Sequence, residues 1–148
     1  MRRPAPKTYN CKVNMTTNQI GKITELEVLT QVIKLGYSVS IPYGDKDRYD
    51  QIWDINGKLI RVQVKTSHWK DDNCKAITFK TRSTYGNVQH RYSKEEIDYF
   101  ATIWEDQIYM VPVEQCSVEK TLWFEKPKNG CQVAFAKDFT LQEVLKQL

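Results

Sequence analysis

Two periodicities alternate along this chain. Over residues 16–36 apolar side chains recur at helical spacing, and on a 100° wheel Leu26, Val28, Leu29, Val32, Ile33 and Leu35 form one continuous arc. Thr16 followed by Gln19 is a capping-box pattern at the start of that segment, and Gly36 supplies its stop. From residue 48 to 65 the period drops to two. Asn56-Gly57 interrupts the alternation, as expected of a two-residue hairpin turn in which both central residues need positive φ. Short strands are predicted over 38–41, 75–81, 98–104, 107–113 and 119–125, with a polar loop over 82–91 and a helical turn opening at Ser93. Pro127 to Gly130 reads as a turn, and Thr140 caps a terminal helix bearing Leu141, Val144, Leu145 and Leu148. The pattern predicts a single α/β domain over 16–148.

Two positions break this pattern. Glu25 falls near the centre of the apolar arc, where a helix would carry it toward the core, and an unpaired carboxylate there is costly. It either pairs with a basic group as structural glue or reaches a cation site. The hairpin supplies the second anomaly. A two-residue turn at 56–57 sets Asp50 across from Gln63, and Lys65 then becomes the diagonal neighbour of Asp50, roughly 7–8 Å away between Cβ atoms. Gln63 and Lys65 share one face while Val62 and Val64 take the other. A carboxylate, an amide and an amine thus converge. One reading is a solvated face of an amphipathic hairpin; the other is a chemical site, favoured because Thr66 and Ser67 extend the polar run beyond Lys65.

The order of elements resembles the PD-(D/E)xK nuclease superfamily: a helix with an inward Glu, a strand, then a hairpin entered through Tyr49-Asp50 and leaving through Val62-Gln63-Val64-Lys65. Within it, the chain looks most like the small endonucleases associated with group I introns. The resemblance implies a restriction-endonuclease-like α-β-β-β-α-β core, with a central mixed sheet flanked by helices. It implies catalytic roles for Glu25, Asp50, Gln63 and Lys65, with Asp50, Gln63 and Glu25 holding Mg²⁺, for which Mn²⁺ can substitute. Two positions depart from the family pattern. Tyr49 stands where proline is usual, and Gln63 stands where an acid is usual. The Gln63 carbonyl is a hard oxygen donor without charge. The implied activity is hydrolysis of phosphodiester bonds in double-stranded DNA, as a site-specific homing enzyme. A junction-resolvase-like or restriction-type nuclease, and a DNA-binding protein of the same fold without catalysis, are the alternatives.

Charge and cysteine usage narrow this further. The 148 residues carry a net charge of +4 and a pI near 8.8, which suits a nucleic-acid partner without requiring one. Arg2, Arg3, Lys7 and Lys12 make residues 1–15 a basic arm, expected to be flexible. In the polar loop and the strand before it, Lys80, Arg82, His90 and Arg91 are the candidates for DNA contact. Cys11, Cys74, Cys116 and Cys131 form no Cys-x-x-Cys pair, which argues against a zinc ribbon or a secreted disulfide framework. The thiols are expected reduced, in a cytoplasmic, nucleoid-associated protein. No apolar run reaches transmembrane length. A domain this small reads a long duplex most readily as a symmetric homo-oligomer, a dimer or tetramer.

Overall fold

A computed structural model describes residues 14–148. Helix α1 (Thr17–Lys34) opens with the full capping box: the Thr16 side chain accepts from the Gln19 N–H at 3.2 Å, and the Gln19 side chain accepts from the Thr16 N–H at 2.8 Å. Two of the four orphan N–H groups of the helix start are thereby satisfied. Strands β1 (Ser38–Ser40), β2 (Gln51–Ile55) and β3 (Lys58–Val64) follow, then β4 (His68–Trp69), β5 (Ala76–Lys80), β6 (Arg82–Tyr85) and β7 (Val88–Arg91). β8 (Tyr99–Trp104), β9 (Gln107–Pro112), β10 (Glu119–Trp123) and α2 (Leu141–Leu145) complete the chain. No described helix is long and apolar enough to cross a membrane.

Five strands form a central mixed sheet in the order β1-β2-β3-β8-β9, in which only the β3–β8 pairing is parallel. The predicted hairpin is present in register: Ile55 pairs with Lys58, Gln51 with Val62, and Asn56 and Gly57 take φ of 54° and 93°. The Asp54 carboxylate accepts the Gly57 N–H at 2.7 Å and fixes the turn. Strand alternation divides the core in two. Ile60, Val62 and Val64 with Ala101, Ile108 and Met110 pack against Val28 and Val32 of α1 and Leu141 and Val144 of α2. On the opposite face, Phe100 and Val111 pack with Ile77, Phe79 and Leu122, from a three-stranded sheet of order β10-β5-β4. The helices therefore cover one face of the central sheet, and a second β layer covers part of the other.

Three elements differ from the sequence expectation. The face that α1 buries is Thr24, Val28 and Val32, at i, i+4 and i+8, while Leu26 and Ile33 remain 61% and 52% exposed. The helix is rotated from the apolar arc because Thr24 finds polar partners inside: its hydroxyl donates to the Ile20 carbonyl at 3.0 Å and lies 2.8 Å from the Thr66 hydroxyl. Residues 82–91 are not a loop. β6 and β7 pair antiparallel around a two-residue Gly86-Asn87 turn, with Gly86 at φ 60°, and this ribbon joins neither larger sheet. The passage from β3 to β8 runs through β4–β7 and the turn at 94–96 without an α-helix. Arg61 secures that turn: its N–H and guanidinium bind the Asp98 carboxylate at 2.8 and 3.1 Å, and Nη2 donates to the Lys94 carbonyl at 2.8 Å. The anticipated N-terminal arm lies, up to residue 13, outside the described residues.

Candidate active site

The hairpin and the residues just before it build a cleft. Asp50 directly precedes β2, and its N–H still donates to the Val62 carbonyl at 2.9 Å. The Asp50 side chain turns back on the same strand, where Oδ2 accepts the Val64 N–H at 2.9 Å. One carboxylate oxygen is thus fixed by backbone. Gln63 and Lys65 alternate with the core residues Val62 and Val64, so they belong to the face opposite the helices. Asp50, Gln63 and Arg48 line an open cleft of about 400 Å³ with Asp45, Asp47 and Tyr92, and its far wall is Ser83, Tyr85 and His90 of the β6–β7 ribbon. A second hollow of about 450 Å³, lined by Tyr109, Trp123 and Phe135, contains none of these groups.

Lys65 is held at the end of β3 by its neighbours. Its N–H donates to the Ala101 carbonyl at 2.8 Å. Thr66 meets Thr24 of α1, and the Ser67 hydroxyl accepts from Thr102 at 2.9 Å, so the polar run after the lysine ties the strand end to its surroundings. The Lys65 ammonium lies 5.3 Å from the centre of the Tyr92 ring.

The electrostatics of the pair are unusual for exposed-strand residues. Burial pushes the Asp50 carboxyl up to about 6, helped by the negative charge of Glu25 and opposed by the Val64 N–H and by Lys65 and Lys22. Burial also lowers the Lys65 amine, with Arg48 adding to the effect and Asp50 opposing it. A carboxylate in a partly desolvated place with a second acid acting on it gains from a nearby cation.

Glu25 is only half buried and pairs with Lys22 one turn earlier at 2.9 Å. It acts on Asp50 through charge. Among the described residues no three His, Cys, Asp or Glu side chains converge as a ready metal cage. The donor set is nonetheless of the right kind for Mg²⁺: carboxylate and amide oxygens, too few to fill an octahedron, leaving room for water and a substrate phosphate. Of the DNA-contact candidates, His90 lines the cleft, Arg82 and Arg91 stand at the base of the ribbon, and Lys80 ends β5 opposite Glu119.

Two residues escaped the sequence reading. Gln51 is 2% exposed; its Nε2 donates to the Glu25 carbonyl at 2.8 Å while its Oε1 accepts the Trp53 indole N–H at 2.9 Å. It fixes α1 on the strand that carries Asp50. Its place two and four residues before apolar Trp53 and Ile55, on the same inward face, was the available signal. Arg48 is the second. Its Nη1 donates to Ser83 Oγ at 2.9 Å, its Nη2 to the Arg91 carbonyl at 3.3 Å, and its Cζ sits 4.0 Å over the Tyr92 ring. Nε lies 3.0 Å from Glu96 Oε1 as an ion pair, without the alignment of a hydrogen bond. These partners lie 35 or more residues away, and nothing local announces them.

A mixed sheet packed by helices, whose second and third strands bring Asp50 and Gln63 to one cleft with Lys65 just past the third strand, is the architecture of phosphodiester nucleases of the restriction-enzyme type. The comparisons agree with that class. Residues 15–142 match the family model described as PD-(D/E)XK endonuclease, and the chain belongs to that family. Among solved structures, the chain is similar to a bacterial homing endonuclease, I-Ssp6803I. The TM-score is 0.71 at 22% identity, over 90% of this chain and 95% of that one. No curated protein sequence matches.

Proposed function

We propose that this endonuclease is a Mg²⁺-dependent homing-type enzyme that hydrolyses phosphodiester bonds in double-stranded DNA. The observation that carries the reading is the convergence of Asp50 and Gln63 on one cleft, beside a lysine whose amine is partly desolvated. Asp50 and the Gln63 carbonyl would hold the ion, with Glu25 contributing charge and orientation from α1, and Mg²⁺ or Mn²⁺ bound there would supply Lewis-acid polarisation of the scissile phosphate. Lys65 orients the attacking water, accepts its proton when neutral, and offsets charge developing on phosphorus when protonated. Lys80, Arg82, His90 and Arg91 contact the DNA, with the backbone contacts setting its position.

Likeness to a bacterial homing endonuclease supports the homing-type reading over a junction resolvase. A nucleoid-associated dimer or tetramer follows from the need to read a long duplex, and the exposed Leu26 and Ile33 of α1 offer apolar surface for it. The test is to incubate the protein and Mg²⁺ with a randomised duplex library and with four-way junction DNA, then sequence the ends produced. Ends sharing one extended motif support the reading. Cutting confined to junctions, or sequence-selective binding without any ends, replaces it with a resolvase or a binding-only protein.

A further inference from the structure

The β6–β7 ribbon is costly unless it has a partner. A two-stranded hairpin outside a larger sheet is marginally stable in water, yet this one stands apart from both sheets with its tip side chains in solvent. Tyr85 is 84% exposed and Val88 58% exposed, opposite each other at the last pair before the turn. Between Lys80 and Tyr92 there is no acidic residue, while Lys80, Arg82 and Arg91 are cationic. The ribbon is also held in place. Arg48, two residues before Asp50, clamps the first strand through Ser83, the second through the Arg91 carbonyl, and stacks on Tyr92 just beyond it. On the ribbon, Arg82 donates to Gln89, tying the strands together across their diagonal. The same Tyr92 ring receives Lys65. A basic ribbon with an apolar tip, tethered at its base, therefore stands against the residues of the proposed chemistry.

We infer that this ribbon is the base-reading element, entering the major groove beside the scissile phosphate, with Tyr85, Val88 and His90 facing the base edges. The inference rests on the nuclease reading and deepens it. The groove follows from size: a major groove about 12 Å wide admits a two-stranded ribbon directly, whereas a minor groove about 6 Å wide takes strands when the duplex is bent or widened. Of the four ribbon residues that line the cleft, Ser83, Tyr85 and His90 share one face by alternation and Thr84 lies on the other, and Val88 shares the Tyr85 face. Tyr85 and Val88 supply apolar contact of the kind that selects a thymine methyl. His90 supplies a ring N–H or acceptor for a base edge. Arg82 and Arg91, at the ribbon base, meet phosphates. Arg48 keeps the reading end at one distance from Asp50 and so sets where the cut falls relative to the bases read.

The experiment uses binding, so that it stands apart from cleavage. Full-length Asp50→Asn protein is used to select bound duplexes from a randomised library, with and without Tyr85→Ser combined with Val88→Ser, and separately His90→Ala. These side chains are exposed, and circular dichroism checks that the fold survives. The expected result is a sequence motif in the parent that loses about tenfold or more of its preference at two or three adjacent base pairs in the ribbon variants. Positions elsewhere in the motif stay unchanged. A motif unaltered by the substitutions, an equal loss of affinity for all sequences, or no motif in the parent overturns the inference. Absence of cutting by wild-type protein, together with a ribbon-dependent motif, would instead overturn the nuclease reading and leave the ribbon standing.

Discussion

Replacing Asp50 by Asn should stabilise the metal-free protein, and the gain should depend on pH. The carboxyl rises from an ordinary 3.8 to about 6 on folding because it is partly buried and faces the charge of Glu25. A raised carboxyl is a liability once ionised. The unfolded chain releases this proton near pH 4 while the folded chain keeps it until about pH 6. Stability is therefore whole below the unfolded value, is lost between about pH 4 and 6, and stays lost above. At 1.36 kcal/mol per pH unit the loss comes to about 2–3 kcal/mol. Asn carries no charge and can still accept the Val64 N–H. In EDTA at pH 8 the variant should therefore melt roughly 5–10 °C above wild type, at about 2–4 °C per kcal/mol for a domain of this size. At pH 4 the two should coincide. Mg²⁺ should narrow the gap by stabilising wild type alone. Thermal melts by circular dichroism from pH 4 to 8 test this. A gap independent of pH, or wild type the more stable at pH 8, would refute the reasoning.

Lys65→Met should slow cleavage by about 10²–10⁴-fold, the usual worth of a positioned acid–base group, with DNA affinity retained in a gel-shift assay. If Lys65→Arg cuts at a similar rate to wild type, the lysine serves only as charge. Removing the guanidinium with Arg48→Gln should raise the Lys65 amine and move upward the limb of the pH–rate profile that it governs, the acidic limb where it accepts the water's proton and the alkaline limb where it serves as charge; a profile with both limbs in place contradicts the coupling. Gln63→Glu adds charge to the donor set, so the Mg²⁺ concentration giving half-maximal cleavage should fall by about tenfold; an unchanged midpoint would show that Gln63 is no ligand. Gln51→Leu leaves the Glu25 carbonyl and the Trp53 indole N–H without their partner. Chemical denaturation should register about 1–3 kcal/mol of lost stability, and a neutral result would mean that Gln51 does not secure α1.

What the sequence made legible was local. The capping box at Thr16 and Gln19 and the Asn56-Gly57 turn each satisfy their own backbone within a few residues, so α1 and the hairpin register follow from the chain itself. The hairpin in turn brought Asp50, Gln63 and Lys65 together, because strand register is arithmetic. The buried face of α1 was hidden for the opposite reason. Thr24 sits in the core with its hydroxyl shared between the Ile20 carbonyl of its own helix and Thr66, 42 residues on, and the second partner is invisible locally. The pairing of Glu25 with Lys22, by contrast, is a one-turn neighbour contact that the wheel could have revealed. The ribbon carried a Gly-Asn turn signal, but both its faces are polar or exposed, so no alternation marked the strands. Arg48 had no signal at all, since its partners come from β6, β7 and the turn before β8.

The central claim is that metal-dependent DNA cleavage occurs at the cleft bearing Asp50. The direct test is single-turnover cutting of supercoiled DNA by wild type and Asp50→Asn, in Mg²⁺, in Mn²⁺ and in EDTA, with binding followed in parallel. The account predicts cutting by wild type in either metal, none in EDTA, and none by the variant although it still binds. Cutting that survives in Asp50→Asn, or proceeds in EDTA, would contradict it.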